Sequence, residues 1–127
     1  MQNDTGKQVV LIVDDEESIR QIVRQILELM GHEVLEAENG FQGLQVWEAK
    51  RGTIDLIISD DKMPRMSGRE LTARIKAVDP SAIVLAFSGT ASKADFPEAD
   101  EFIIKPFKLA EMRVAIARLL ASGTPEV

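Results

Sequence analysis

Leu56-Ile57-Ile58 is a short β-branched run that stops at Ser59-Asp60-Asp61, with Pro64 soon after. That length and composition suit a strand buried on both faces of a sheet. Pro64 forbids further pairing, and Ser67-Gly68 reads as the entry to a helix. A carboxylate ending a central parallel strand sits where open α/β sheets place their ligands.

The rest of the chain repeats this pattern. Val9–Val13 is all apolar and runs into Asp14, Asp15, Glu16 and Glu17. Further short runs cover Val34 and Leu35, residues 83–87, and residues 102–104, the last followed by Lys105-Pro106-Phe107. Helical periods lie between them. Ile19, Ile22, Val23, Ile26, Leu27 and Met30 form one stripe from Ser18 to a stop at Gly31. A second helix starts at Asn39-Gly40 with Phe41, Leu44 and Trp47 expected to face inward, and ends at Arg51-Gly52. Residues 69–78 place Leu71, Ile75 and Val78 on one face, before the terminating Asp79-Pro80. The last helix carries Leu109, Met112, Ile116, Leu119 and Leu120, and closes at Ser122-Gly123. His32 follows a helix stop and is expected to be solvated, and Met63 and Met66 to cover the rim of the site.

Five strands alternating with helices imply a parallel sheet covered on both faces, with right-handed crossovers. At 127 residues the chain fits one domain, expected over residues 8–121, with a disordered leader at 1–7 and a polar tail at 122–127. No segment reads as a membrane span or signal peptide, so a cytoplasmic protein is expected. The net charge of -6 argues against a nucleic-acid partner, which would need clustered Lys and Arg. With no cysteine, disulfides and thiolate metal sites are ruled out.

Strand order is not visible in a sequence; if it is the flavodoxin-like 2-1-3-4-5, the first and third strands flank the ligand crevice. Asp14, Asp15, Asp60, Ser88 and Lys105 then converge on one sheet edge. Three carboxylates so close either rise in pKa or share a cation. Mg²⁺, which takes one or two carboxylates and keeps several waters, fits best. A carboxylate is also a nucleophile toward phosphorus, with no general base needed to activate it. Lys105, the Ser88 hydroxyl and nearby N–H groups would neutralise the equatorial oxygens of a phosphoryl group.

The set Val13-Asp14-Asp15-Glu16, Asp60-x-x-Met63-Pro64, Ser67-Gly68, Ser88-Gly89 and Lys105-Pro106-Phe107 strongly resembles the receiver domain of two-component response regulators, over nearly the whole chain. The resemblance implies a flavodoxin-like (βα)5 doubly wound parallel sheet in strand order 2-1-3-4-5. It implies that Asp60 is the phosphoacceptor for a histidine kinase or a histidine phosphotransfer protein. Mg²⁺, with Mn²⁺ as a substitute, would be held by Asp15, Asp60 and the Lys62 backbone carbonyl, with Asp14 supporting it. Lys105 would pair with the phosphate, and the Lys105-Pro106 bond would be cis. Ser88 and Phe102 match the switch pair, Ser88 drawn inward and Phe102 rotating into the space it leaves. The protein would be a phosphoacceptor switch rather than an enzyme, a monomer or weak dimer, acting on a downstream protein without an effector domain in this chain. The Met66-Ser67-Gly68 and Phe87-Ser88-Gly89 wording is similar to receivers attached to hybrid histidine kinases.

Blander roles stand beside these. Asp15 or Glu16 could cap the first helix, Ser88 could be turn chemistry, and Phe102 could be static core. Between Ser88 and Lys105 the chain is about five residues shorter than the family pattern, more than one helical turn. With Pro97 inside, the fourth helix is expected to be shortened or absent. Asp61 stands where the family more often has an apolar residue. Two other functions compete. A haloacid-dehalogenase-type phosphatase would need a second Asp two residues after the nucleophile, and neither Asp14 nor Asp60 has one, Glu16 and Lys62 standing there. A flavin or nucleotide binder would need a Ser/Thr/Gly-rich loop after the first strand, and here the loop is acidic.

Overall fold

The computed structural model describes residues 7–89 and 93–122. Its elements are β1 (Val9–Val13), α1 (Glu17–Leu29), β2 (Glu33–Ala37), α2 (Gly40–Ala49), β3 (Leu56–Asp60), α3 (Gly68–Val78), β4 (Val84–Ser88), β5 (Glu101–Ile104) and α4 (Leu109–Ser122). The five strands are all parallel in the order β2-β1-β3-β4-β5. The flavodoxin-like architecture is therefore as expected. The leader and tail lie outside the described residues, apart from Lys7 and the Ser122 backbone.

Alternation along the strands divides the core. Val10, Ile12, Leu56, Ile58, Leu85, Phe87 and Ile103 face α1 and α4, meeting Val23, Leu27, Met112 and Ile116. Leu11, Val13 and Ile57 face the other way, onto Trp47 of α2 and Leu71 and Ile75 of α3. Over β4 and β5 the described residues place no full helix on this second face. The β4–β5 connection contains one 3₁₀ turn, Lys93–Asp95, after which Phe96 and Ala99 pack on Ala86, with Phe102 alongside. Asp100 anchors the segment. Its N–H donates to the Val84 carbonyl at 2.8 Å, and its Oδ2 accepts from the Val84 N–H and from Lys76 Nζ, each at 2.8 Å.

Four inward assignments are corrected. Phe41 is 41 % exposed because α2 approaches through Gly40 and Gly43 instead; a Cβ on Gly40 would lie 2.4 Å from the Met66 carbonyl oxygen. The ring of Phe41 lies beneath the Arg65 guanidinium, 4.7 Å from its centroid. Val78 and Leu109 are exposed as the last residue of α3 and the first of α4, where the chain leaves and enters the helix beyond the sheet. Ile22 lies at the edge of its stripe and borders a groove. Met66 is core rather than rim, and His32 is half-buried, its Nδ1 accepting from the Gln8 N–H at 3.1 Å.

Candidate functional site

β1 and β3 are neighbours, so their C-terminal ends bring Asp14, Asp15 and Asp60 together, as the sequence suggested. Each can present a carboxylate oxygen within 4.8 Å of the others. Asp14 is fully buried. Its Oδ1 accepts from the Glu16 N–H at 2.8 Å, while Oδ2 is buried with no hydrogen-bond partner. Burial pushes the Asp14 carboxyl up to about 6, helped by the charges of Asp60 and Asp15 and opposed by the Glu16 N–H and Lys105. Burial likewise raises Asp60, and Lys105 and the Asp61 N–H partly offset it. A buried carboxylate oxygen without a hydrogen-bond donor, in a cluster of three carboxylates, is a hard oxygen site short of positive charge, which fits a divalent cation.

Lys105 reaches this cluster from the end of β5. Its Nζ lies 3.3 Å from Asp60 Oδ1, 3.7 Å from Asp14 Oδ2 and 3.8 Å from Glu16 Oε1. The ammonium also sits 4.9 Å above the Phe87 ring, and the Lys105-Pro106 bond is cis. Ser88 is buried at the end of β4, and its carbonyl accepts from the Lys105 N–H at 2.9 Å. Phe102 is half-buried, its ring centroid 5.8 Å from that of Phe96.

The turn after Asp60 is pinned by its own residues. The Gly68 N–H donates to the Asp61 carbonyl at 2.8 Å, and Ser67 caps α3 through the Glu70 N–H. A Cβ on Gly68 would lie 1.9 Å from the Asp60 carbonyl oxygen, so only glycine allows α3 to come this close. Asp61 does not join the acidic cluster. It is buried and takes a fork from Arg69, Nε to Oδ1 at 3.2 Å and NH2 to Oδ2 at 2.6 Å. Sequence reasoning missed Arg69, Gly68 as a contact and Phe96. A glycine immediately after a helix-capping serine was the one available signal.

Comparison with known proteins bears directly on this arrangement. The sequence model of the response regulator receiver domain matches residues 10–117. The chain belongs to the response regulator receiver family. The receiver is 38 % identical to the DNA-binding transcriptional regulator NtrC of Azospirillum brasilense, over 91 % of this chain but 25 % of that protein. It is 30 % identical to sporulation initiation phosphotransferase F of Bacillus subtilis, over 87 % of this chain and 92 % of that one. The response regulator TrrA of Thermotoga maritima, solved in complex with Mg²⁺-BeF, superposes with a TM-score of 0.80 at 30 % identity, covering 88 % of this chain and 98 % of that one. The receiver spans only 9–30 % of the length of several of the curated relatives it matches, NtrC among them. Receivers of this family are phosphoacceptor switches of two-component signal transduction. No helix among the described residues is long and apolar enough to cross a membrane.

Proposed function

We propose that Asp60 is the phosphoacceptor of this receiver and takes its phosphoryl group from the phosphohistidine of a cytoplasmic kinase or phosphotransfer protein. The observation that carries the reading is Lys105 Nζ 3.3 Å from Asp60 Oδ1, beside the Asp14 and Asp15 carboxylates. An Asp60 oxygen attacks phosphorus, the P–N bond breaks, and the protonated phosphohistidine ring leaves as neutral imidazole with the bonding pair on nitrogen. No proton has to be removed from the nucleophile. Lys105 pairs with one equatorial oxygen and Ser88 donates to another.

Asp15, Asp60 and the Lys62 carbonyl, supported by Asp14, would hold Mg²⁺, or Mn²⁺ in its place. When bound, the ion supplies positive charge that keeps the carboxylates ionised and screens the incoming phosphate. The same residues, acting on water as the attacking group, would let the receiver promote its own dephosphorylation. Ser88 and Phe102 then form the switch, moving the β4–β5 surface toward a downstream protein. An apolar groove of about 440 Å³ lined by Ile19, Ile22, Lys105, Pro106, Phe107 and Leu109 adjoins the site. It would seat a protein donor beside Lys105, next to the acidic cluster.

Intact mass after incubation with acetyl phosphate tests the reading. Wild type should gain one phosphoryl group that requires Mg²⁺ and is removed by hydroxylamine, and Asp60→Asn should gain none. A wild type that gains nothing and also fails to bind beryllofluoride would refute it.

A further inference from the structure

Arg69 belongs to two sites at once. On one side its fork holds Asp61, the residue that follows the phosphoacceptor, and the Arg69 backbone N–H adds a contact to Asp61 Oδ1 at 3.3 Å. Asp61 is buried, so its carboxylate depends on this cation for neutralisation. On the other side the guanidinium lies 5.5 Å from the Phe96 ring centroid and 4.0 Å from Asp95 Oδ1. Phe96 in turn contacts Phe102, and both sit in the small cluster over β4 and β5 that follows the Lys93–Asp95 turn.

The sequence of contacts Asp61, Arg69, Phe96, Phe102 thus runs without a gap from the residue bonded to Asp60 to the outer strand of the sheet. A guanidinium suits this junction because its plane stacks on a ring while its edge makes a bidentate ion pair. Lysine could make only one of the two contacts well.

We propose that Arg69 is a coupling residue, a clasp that ties the acidic end of β3 to the Lys93–Asp95 turn and Phe96. The clasp favours the unphosphorylated arrangement of the β4–β5 surface. This inference rests on the phosphoacceptor reading of Asp60 and adds to it the residue that carries the state of the site outward. Because Asp60 and Asp61 are adjacent, any shift of the strand end on acquiring a phosphoryl group changes the geometry of the fork. The contact with Phe96 then changes with it. By linkage, weakening the clasp favours the other arrangement and so tightens binding of a phosphoryl mimic.

The test is beryllofluoride titration at fixed Mg²⁺, followed by amide NMR, on the full chain. Wild type is compared with Arg69→Lys, Phe96→Leu and the double variant. Arg69→Lys keeps the charge that Asp61 needs but loses the fork and the stack. Phe96→Leu alters no charge at all. Each single variant is expected to bind beryllofluoride about 5-fold more tightly than wild type, and the double variant no more tightly than the stronger single one. In both, the amides of residues 94–102 should move less on binding than in wild type, while those of residues 57–61 move as before. Folded variants with wild-type affinity and wild-type shifts over residues 94–102 would overturn the clasp alone. Failure of wild type to bind beryllofluoride would overturn the phosphoacceptor reading and the clasp with it.

Discussion

Gly68→Ala adds one methyl group at the start of α3, where sequence alone would call the change stabilising. Alanine is better than glycine inside a helix by about 1 kcal/mol. The new Cβ, however, would lie 1.9 Å from the Asp60 carbonyl oxygen and 2.9 Å from Ser59 Oγ, and Cβ atoms essentially never come within 3.0 Å of such neighbours. Relief requires α3 and the end of β3 to separate by about 1.1 Å. That movement lengthens the Gly68 N–H bond to Asp61 and spreads the Arg69 fork. Overpacking costs about 1–3 kcal/mol and the weakened hydrogen bond about 1 kcal/mol, and the helix gain of about 1 kcal/mol offsets part of this, so the net loss should be about 1–3 kcal/mol. At about 4 °C per kcal/mol for a domain of this size, the melting temperature should fall by roughly 4–12 °C. Gly52→Ala is the control. Its Cβ would meet nothing within 4 Å, and only the φ of +87° penalises it, by about 1 kcal/mol. Thermal and urea unfolding of both variants measure the difference. A Gly68→Ala protein as stable as wild type, or more stable than Gly52→Ala, would show that the close approach of α3 to Asp60 is wrong.

In EDTA, stability should depend on pH through Asp14. Its folded-state value of about 6 lies above the ordinary 3.8, so the folded chain binds more protons between those values and loses stability as pH rises through them. Asp14→Asn should therefore gain on wild type from below pH 4 to above pH 6, by up to about 3 kcal/mol, as read by urea titration at each pH. Lys105→Met removes the cation that lowers Asp60, so the Asp60 carboxyl should titrate higher by ¹³C NMR, and phosphoryl uptake from acetyl phosphate should fall at least about tenfold. Asp100→Ala leaves the Val84 N–H and Lys76 without their shared acceptor, and should cost about 1–2 kcal/mol in chemical denaturation.

The strand ends were readable in the sequence because a strand buried on both faces is identified by its residues alone, with no face to choose. Asp14, Asp60 and Ser88 stand at the ends of such strands and Lys105 after the short edge strand β5, so their convergence needed only the strand order. Helix faces were less legible. A period of 3.6 marks a stripe without saying which edge of it meets the sheet, and it says nothing of helix ends. Phe41 thus read as core although Gly40 and Gly43 make the close contact, and Val78 and Leu109 stood at ends that project beyond the sheet. The fork between Asp61 and Arg69 crosses a turn, and the cation–π contact of Arg69 with Phe96 joins segments well separated in the chain. Neither leaves a period to read. The shortened β4–β5 connection was legible as a missing length, but its replacement by Phe96 and Ala99 was not.

The central claim is that Asp60, among Asp14, Asp15, Asp60 and Asp61, receives the phosphoryl group. Borohydride reduces an aspartyl phosphate to homoserine and leaves free carboxylates untouched, so peptide mass spectrometry after reduction of the phosphorylated protein locates the acceptor. Homoserine at position 60 alone is expected. Homoserine at position 14, 15 or 61, or a phosphorylated protein with none, would contradict the account.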